Sequence, residues 1–486
     1  MLDLLDHALR SAPERPAVLG ATLTGHVRVR ATRGELAGLA DAYASSLYAR
    51  GLRTGDTVGV AVRPGPRALA VLLALWRLGL RGAVLDPGAG PDVLCSRLSL
   101  ARPSLVLADA TAQAVAGWAR PLAARARLTL PDLAELAPVA TVGRRLPGCA
   151  PALEAARTRI PVTDHGDGDA VIVFTSGTTS RPKAVVHTRS SLSAGMDTVR
   201  ALFSAHPDEP VVGGTFFVLV PALTQGAPVA LPARSPRVLS RQLHRLRPQG
   251  TYLTPPQLRD ALRAGAPFTG RVWTGSAPAS AELLDRVRKA GAAEAWGVYA
   301  LTELFPAAAV ESRQKAAYDG AGDLVGTPLP GVEARTDDAG ELLLAGAAAR
   351  HRCLGDDPDP WVRTGDRAHL DAAGRIVLEG RCKDMVLRRA ENIYPGLYEP
   401  SLHVPGVELA VLVGVPAGDG DERLVAVVEP RPGYTEQQLR TALAYPMRRM
   451  GSARPDALLF APVPLSGRSR KPDRAATAEL AAVRLR

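Results

Sequence analysis

Cysteine is scarce in this 486-residue chain, and long apolar runs are absent. The four cysteines, Cys95, Cys149, Cys353 and Cys382, form no CxxC pair and no spacing that suits zinc, which argues against a disulfide framework or structural metal and fits a reducing compartment. The longest apolar run, residues 68–76, is too short to span a bilayer. The N-terminus begins with an acidic amphipathic stretch and lacks the regions of a signal peptide. We therefore expect a cytoplasmic protein without a membrane span.

Clustered positive charge is also missing. The formal net charge is +11, but the basic residues are spread along the chain and are not collected in runs with interleaved aromatic residues. Net charge alone bears on solubility and nonspecific association. Nucleic acid is therefore not an expected partner.

Lysine is rare, since only five of the 59 basic residues are lysines. A lysine that persists in such a chain can present a compact point charge on a flexible stem, which arginine cannot. Chance is the alternative, so a lysine carries weight only where an independent motif marks its position. Lys289 and Lys315 occur in polar helical or loop contexts and are expected to be solvated. The remaining three are Lys183, Lys383 and Lys471.

Helical and strand-like segments alternate through most of the chain. Residues 34–51 have apolar positions at helical spacing and stop at a glycine, and residues 56–62 follow as a strand. This alternation predicts βαβ units and a largely parallel sheet. From about residue 323 the pattern changes to short strands with turns. A boundary near 380 separates residues 1–379 from residues 380–486.

A hydroxyl-rich loop follows the apolar strand "AVIVF". In "FTSGTTSRPKAVV", residues 174–186, five hydroxyl side chains surround Gly177 before Lys183. Small residues with free backbone N–H groups, followed by a lysine, can cradle a polyphosphate at the carboxyl end of a strand. A Ser/Thr-rich surface turn is the alternative. A Walker loop is excluded, because Lys183 is followed by Ala184 and no second glycine precedes it.

This segment resembles the phosphate-loop signature of the adenylate-forming superfamily, which contains acyl-CoA synthetases, adenylation domains and luciferases; the acyl-CoA synthetases resemble this chain most. It departs from the usual form at two glycines, which are Ser180 and Ala184 here, so we expect a stiffer loop. The resemblance implies that the loop binds the phosphates of ATP, that Lys183 is catalytic and that Thr175 also contacts Mg²⁺. The implied loop ligands are Thr175, Ser176, Gly177, Thr178 and Thr179.

The segment "YALTE", residues 299–303, is similar to the aromatic-Gly-x-Thr-Glu motif of the same superfamily. The resemblance implies that Tyr299 stacks on adenine, that Thr302 contacts phosphate or the acyl carboxylate and that Glu303 holds Mg²⁺. A hard cation prefers a carboxylate and adenine prefers an aromatic face, so this division is chemically sensible. Ala300 occupies the position of the usual glycine.

The segment "VRTGD", residues 362–366, matches the motif whose aspartate, Asp366, accepts hydrogen bonds from the ribose hydroxyls. Taken alone it would be a plain β-turn. Residues 374–402 then resemble the hinge and first strand of the superfamily's mobile C-terminal domain. The resemblance implies that Arg381 faces the ribose and that Lys383 is the hinge residue.

The C-terminal segment carries two further similarities. Glu399 occupies the glutamate that opens the helix after the hinge, and Ala390 replaces a glycine that lies beside the pantetheine tunnel in CoA-forming relatives, so CoA use is open to question. "SGRSRKPDR", residues 466–474, is similar to the final motif, whose lysine, here Lys471, reaches over the active site in the adenylating conformation. Arg470 stands where glycine is common. A basic, disordered tail is the alternative for this motif.

The resemblance implies an α/β fold, with a large N-terminal AMP-binding domain of α/β layers, mostly parallel sheets and a small β-barrel-like part, followed by a small, mobile α+β C-terminal domain. It implies ATP-dependent activation of a carboxylic acid to an acyl-adenylate with release of pyrophosphate, and then transfer of the acyl group to a thiol. ATP, Mg²⁺ and CoA are the expected cofactors, and an acyl-carrier protein is the other thiol partner. Catalysis of the first step would come from positioning and from the charges of Lys183, Glu303 and Lys471, with Thr302.

The acyl pocket is less well defined by the sequence. The turn "GSAPAS", residues 275–280, resembles the one whose backbone borders adenine and the acyl group, which implicates Ser276, Ala277 and Pro278. Residues 213–223 are apolar and aromatic and lack the aspartate that pairs with the ammonium in amino-acid-activating relatives, which favours an acid with an uncharged tail. Ordinary core packing is the alternative for the phenylalanines. The candidate pocket residues are Phe216, Phe217, Thr274, Gly275 and Val298.

Two functional alternatives stay open. Residues 214–232 and 299–312 resemble the β-lactone-forming branch of the superfamily, so the acceptor could be intramolecular, or it could be an amine. The replaced glycines leave a non-catalytic nucleotide-binding scaffold as the other alternative, although every charged motif position survives.

Overall fold

The computed structural model describes residues 1–86, 91–116, 137–153, 160, 165–175, 183–389, 391–418, 421–467 and 470–485. The chain forms two compact units. Unit 1 contains Met1–Arg234, Thr302–Phe305 and Gly346–Val362. Unit 2 contains Ser235–Leu301, Pro306–Ala345 and Arg363–Arg486. The predicted boundary at 379/380 falls inside unit 2 and stays a prediction.

The described residues contain helices that range from four to 17 residues. In chain order they are α1 Leu2–Ser11, α2 Arg33–Ala49, α3 Pro66–Arg77, α4 Pro91–Ala101, α5 Ala110–Ala116, α6 Arg189–Leu202, α7 Phe216–Thr224, α8 Pro236–Leu246, α9 Pro255–Arg263, α10 Ala281–Lys289, α11 Ser312–Ala316, α12 Glu399–Leu402, α13 Glu436–Arg449 and α14 Arg474–Arg484.

The strands of the first 234 residues are β1 Pro16–Ala21, β2 Val27–Thr32, β3 Thr57–Ala61, β4 Arg81–Val84, β5 Leu105–Asp109, β6 Val139–Val142, β7 Asp169–Thr175, β8 Lys183–Thr188, β9 Val211–Val212 and β10 Val229–Ala230.

The later strands are β11 Gly250–Tyr252, β12 Arg271–Thr274, β13 Glu294–Tyr299, β14 Ala308–Glu311, β15 Asp323–Pro328, β16 Val332–Thr336, β17 Glu341–Gly346, β18 Arg352–Cys353, β19 Val362–Leu370, β20 Ile376–Arg381, β21 Val386–Arg388, β22 Glu391–Ile393, β23 Val407–Gly418, β24 Asp421–Pro430, β25 Ala457–Phe460, β26 Leu465–Ser466 and β27 Lys471–Pro472.

Unit 1 is built around a seven-stranded sheet with the order β18-β8-β7-β4-β3-β5-β6. From β7 to β6 the neighbouring strands run parallel, whereas β8 returns antiparallel beside β7. Helix α3 connects the parallel neighbours β3 and β4, and it starts at Pro66, whose missing N–H costs nothing in a first helical turn. Four further strands of this unit are neighbours in the order β9-β10-β1-β2, with only β2 antiparallel. The predicted βαβ alternation is confirmed here.

Unit 2 contains the strand order β16-β17-β19-β20-β15-β14-β13-β12-β11. Strands β11 to β13 run parallel, and the pairs from β13 to β15 and on to β20 and β19 are antiparallel. The antiparallel pairing begins at β14, Ala308–Glu311, which precedes the change of sequence pattern near residue 323. The α/β class is confirmed, although the large sheets are mixed.

The C-terminal segment, residues 380–486, adds small sheets and cores of its own. It contains the hairpins β21-β22 and β26-β27 and the sheet β23-β24-β25. Two hydrophobic clusters consist wholly of residues between 386 and 485. No helix of the described residues is long and apolar enough to cross a membrane.

Candidate active site

The predicted phosphate loop joins two paired strands of unit 1. Residues 176–182, with the implied ligands Ser176, Gly177, Thr178 and Thr179, lie outside the described residues. Thr175 and Lys183, at the ends of β7 and β8, are directly opposite each other in the antiparallel ladder. Lys183 is exposed. The ladder therefore holds the metal-binding hydroxyl and the catalytic cation of the prediction side by side.

Ala184, one of the two replaced glycines, is not a loop residue. It is 2% exposed, pairs with Phe174 in the ladder and accepts a hydrogen bond from the Leu354 N–H at 2.7 Å. A strand residue in a closed ladder has no loop flexibility to lose. Ala184 thus belongs to the strand and not to the loop, and the expectation of a stiffer loop stays a prediction.

The short segment Thr302–Phe305 of unit 1 is fixed from two sides. Nε2 of His187 in β8 lies 2.8 Å from the Thr302 carbonyl oxygen, and the Arg350 N–H donates to the Glu303 carbonyl at 2.6 Å. His187 is 1% exposed, and burial lowers its pKa. A neutral imidazole can donate from Nε2 to Thr302 and accept at Nδ1 from the Ser191 hydroxyl, 3.3 Å away. The backbone of Thr302 and Glu303 is therefore held in place.

The Glu303 carboxylate makes no hydrogen bond or ion pair with the described residues. Its charge and that of Lys183 both act on the Cys353 thiol, whose pKa is raised by burial, lowered by Arg350, raised by Glu303 and lowered by Lys183. Lys183 and Glu303 thus belong to one neighbourhood of unit 1. Mg²⁺ is commonly bound by one or two carboxylates together with substrate phosphates. A single uncommitted carboxylate near a lysine fits that role.

Three side chains of unit 2, which we call the ribose group, meet at a buried carboxylate. The Tyr299 hydroxyl donates to Asp366 Oδ2 at 2.6 Å, and Arg381 Nε lies 2.7 Å from Asp366 Oδ1. Asp366 in β19 and Arg381 in β20 are register partners, so the ladder itself brings them together. Among the residues that the structure describes, each carboxylate oxygen has one donor, and such an oxygen can accept a second hydrogen bond. The ribose group therefore fits a diol with two hydroxyl donors.

Burial controls the protonation of the ribose group. Asp366 is 6% exposed, and burial raises its pKa, while Arg381, the Tyr299 hydrogen bond and Lys471 oppose that rise. Burial and the negative charge of Asp366 raise the pKa of Tyr299 well above its ordinary value. Tyr299 therefore keeps its proton, and its hydroxyl donates the hydrogen bond to Asp366.

The Asp366→Asn variant is expected to weaken ATP binding. The amide keeps the shape of the side chain but loses the charge and one acceptor, so two charge-assisted bonds weaken, and we expect the KM for ATP to rise about 10- to 100-fold. ATP–pyrophosphate exchange measures it. Asp371→Asn, at an exposed turn that joins β19 and β20, is the control. An unchanged KM in Asp366→Asn would rule out the ribose assignment.

The turn at 275–280 is narrow, as the small-residue motif predicts. A Cβ atom on Gly275 would lie 2.9 Å from the Val298 carbonyl oxygen, so these two predicted pocket residues are adjacent. Ser276 adopts φ 69°, and its hydroxyl lies 3.1 Å from that of Tyr252. Thr274 is fully buried, Ala277 is half-buried and Pro278 is exposed. Glycine at 275 is therefore a steric requirement of the turn.

The phenylalanines of the predicted pocket open helix α7 in unit 1. Both Phe216 and Phe217 are half-buried. The Phe217 ring packs on Phe305 with centroids 3.8 Å apart, and Phe305 meets the His187 ring edge-on at 5.4 Å. Phe217 thus belongs to an aromatic cluster that also touches the buried histidine under Thr302. Pocket and core roles both remain compatible with this packing.

Residues 5–348 match the family model described as AMP-binding enzyme. The chain belongs to this family. The predicted membership in the adenylate-forming superfamily is thereby confirmed, as are the predictions of an enzyme and of AMP-forming ligation.

Relatives of this AMP-binding enzyme differ in their named activities. An olefin beta-lactone synthetase of Xanthomonas campestris pv. campestris is 29% identical, over 90% of this chain and 87% of that protein. A feruloyl-CoA synthase of an Amycolatopsis species is 28% identical, over 88% and 90%. The solved structure of amide bond synthetase McbA from Marinactinospora thermotolerans superposes with a TM-score of 0.78 at 24% identity, over 98% of this chain and 99% of that one. The structural match confirms the fold.

Lys471 lies near the ribose group. It opens β27, opposite Ser466 of β26, and its side chain makes no hydrogen bond or ion pair within the described part of the chain. Lys471 is exposed, and partial loss of water around its ammonium together with the positive charge of Arg381 lowers its pKa, whereas Asp366 opposes that shift. Lys471, predicted to be the terminal motif lysine, therefore has no fixed partner among the described residues and feels the charge of Asp366.

The lowered pKa predicts how acyl-adenylate formation depends on pH. Lys471 loses its charge as pH rises through its pKa, which is below the ordinary 10.5, so the rate should fall on the alkaline side earlier than it would with an ordinary lysine. In Lys471→Arg the guanidinium stays charged, and the alkaline limb should move to higher pH. A pH–rate profile of ATP–pyrophosphate exchange measures this. An identical alkaline limb in both proteins would contradict it.

The other three lysines differ in exposure and in ion pairing, and one of them, Lys315, is not solvated as predicted. Lys383 is exposed in the turn Cys382–Asp384, and Lys289 is exposed and pairs with Asp285 at 2.6 Å. Lys315, expected to be solvated, is 9% exposed and pairs with Asp323 at 2.5 Å. The packing of α11 against β15 buries its stem, and the carboxylate compensates the ammonium. Only the motif lysines lack an ion pair among the described residues.

Arg474 joins the parts of the C-terminal segment, and the sequence did not single out this role. Its guanidinium contacts Glu399 at 2.7 Å and Asp384 at 2.9 Å, and it donates to the Leu412 carbonyl at 2.8 Å. These carboxylates raise its pKa against the effect of burial. The hinge turn, the start of α12 and the start of α14 are therefore tied together. Ala390 lies outside the described residues.

Proposed function

We propose that this enzyme converts a carboxylic acid with an uncharged, apolar or aromatic tail into its acyl-adenylate and then transfers the acyl group to a thiol, with CoA as the first candidate. The ribose group carries the proposal, because a buried carboxylate with two donors and two free acceptor positions is built to receive a diol. ATP supplies the phosphate that the substrate carboxylate attacks, and pyrophosphate leaves.

Each residue has a separate task in this proposal. Asp366 accepts the ribose hydroxyls, and Tyr299 and Arg381 hold its oxygens in place. Lys183 and Lys471 offset negative charge as two anions approach each other, which is electrostatic stabilisation without a protein nucleophile. Glu303 would hold Mg²⁺, whose charge adds to theirs.

The acceptor is the open part of the proposal, and the relatives indicate which alternatives to test. A feruloyl-CoA synthase supports CoA, and this is our first candidate. Two olefin beta-lactone synthetases, at 29% and 30% identity, support an intramolecular hydroxyl as the second candidate. The absence of a carboxylate in residues 213–223 supports an uncharged acyl tail for either acceptor.

Mass spectrometry of the products from a panel of acids tests both the formation of an acyl-adenylate and the identity of the acceptor. Aromatic acids, fatty acids and 3-hydroxy acids are incubated with ATP and Mg²⁺, with and without CoA. A thioester that appears only with CoA supports the first candidate. A β-lactone from a 3-hydroxy acid without CoA supports the second, and acyl-adenylate with neither product indicates a carrier protein or an amine. No adenylate from any acid would contradict the proposed function.

A further inference from the structure

Arg470 departs from the family motif in both residue type and backbone conformation. It stands where glycine is common, and it has φ 50°, the left-handed region that disfavours side chains. Glycine would adopt this conformation without strain. A contact of the Arg470 side chain can compensate for this strain.

That contact is Asp260. Arg470 Nη1 lies 2.6 Å from Asp260 Oδ2, and both side chains belong to unit 2. Asp260 is in helix α9, and it also receives Arg263 at 3.0 Å. The pair thus runs from the terminal motif, residues 466–474, to a helix that lies more than 200 residues earlier in the sequence.

Helix α9 is independently attached to the C-terminal segment. Arg263 of α9 lies 2.9 Å from Glu408, and Arg286 of α10 lies 3.0 Å from the other oxygen of the same carboxylate. The Glu408 side chain is 1% exposed. Asp260 is therefore presented on a helix whose position is already fixed relative to the segment that carries Arg470.

Lys471 lies between two anchors. On its C-terminal side Arg474 ties the motif to Asp384 and Glu399, which are both in residues 380–486. On its N-terminal side Arg470 ties the motif to α9. Arg470 directly precedes Lys471 in the chain. Loss of the Arg470–Asp260 ion pair would therefore release the backbone that carries the Lys471 ammonium.

We propose that Arg470 is a positioning residue whose ion pair with Asp260 holds the terminal motif against α9 and thereby keeps Lys471 beside Asp366 and Arg381. The proposal rests on the proposed function in that Lys471 acts in acyl-adenylate formation. The Arg470–Asp260 ion pair favours the arrangement in which the acyl-adenylate forms. A glycine at position 470 could not make this ion pair.

The test compares Arg470→Gly, Arg470→Lys, Asp260→Asn and the double variant Arg470→Gly with Asp260→Asn in ATP–pyrophosphate exchange. The pair is half-exposed, so we expect kcat to fall about fivefold in Arg470→Gly at low salt, with the KM for ATP nearly unchanged because the ribose group is intact. Arg470→Lys should recover most of the rate. The kcat of the double variant should be no lower than that of the slower single variant. High salt screens the ion pair, so it should reduce the difference in kcat between Arg470→Gly and the natural protein.

Arg247→Gly is the matched control, because Arg247 is exposed with φ 42° at the end of α8. This variant also replaces a left-handed arginine with glycine, and its exchange kinetics should not change. Additive losses in the double variant, or a loss in KM instead of kcat, would overturn the proposal.

Hydrogen exchange of residues 465–473, read by mass spectrometry without substrate, gives an independent answer. Arg470→Gly and Asp260→Asn should each accelerate exchange there, and Arg247→Gly should not. Unchanged exchange in the first two variants would refute the anchor even in an active enzyme. If the natural protein forms no adenylate, the proposed function fails, while the exchange experiment still decides whether the anchor exists.

Discussion

The Lys471→Ala variant is expected to lose about 100- to 1000-fold in the rate of acyl-adenylate formation. The ammonium has no ion-pair partner among the described residues, so its charge is available for the anions that approach each other. Alanine removes that charge and leaves the hairpin β26-β27 and the anchors on either side in place. ATP–pyrophosphate exchange with a substrate acid measures the loss.

The same variant should still consume acyl-adenylate that is supplied to it. Asp366, Tyr299 and Arg381 are untouched, so the adenylate should bind, and its transfer step does not join two anions. Lys289→Ala removes an exposed lysine with its own partner, Asp285, and serves as the control with normal rates in both steps. An equal loss of both half-reactions in Lys471→Ala would show that Lys471 supports binding or folding instead.

The sequence predicted the parts of the site that depend on local motifs. Asp366 and Arg381 come from separate motifs, and the structure places them opposite each other because a short turn joins β19 and β20. Thr175 and Lys183 likewise end paired strands. The proximity of such residues can be predicted from the sequence, because each motif and the pairing of its strand are determined by residues that are close together in the chain.

Other residues were missed because their contacts join distant parts of the chain. His187 lies 115 residues before Thr302, and nothing in the segment "AVVHTRSS" announces that contact. Arg474 meets Glu399 across 75 residues. The solvation expected for Lys315 failed for a different reason: Asp323 is nearby in sequence, but the packing of α11 on β15 buries the lysine beside it. In each of these cases the contact depends on tertiary packing. The periodicity of the sequence does not show which polar side chains that packing will bury.

Glu408 stabilises the fold through contacts with arginines that are distant from it in the sequence. Its carboxylate receives Arg263 at 2.9 Å and Arg286 at 3.0 Å, and Arg431, which also pairs with Glu282, lies 3.8 Å away. Its charge also offsets that of Arg259, a buried arginine whose pKa burial lowers. One carboxylate thus compensates several arginines that come from α9, α10 and the C-terminal segment.

The Glu408→Ala variant is therefore expected to lower the free energy of unfolding by about 3 kcal/mol, because removal of this buried carboxylate leaves the buried Arg259 and the partly buried arginines around it facing each other. Urea-induced unfolding followed by circular dichroism measures it, and the first transition is the one that should move, since a chain of this size need not unfold in one step. Asp285→Ala breaks an exposed helical pair and should leave the same transition in place. If Glu408→Ala were as stable as Asp285→Ala, the arginines around it would have to be compensated by solvent or by other carboxylates, and the attachment of α9 that presents Asp260 to Arg470 would not depend on this charge.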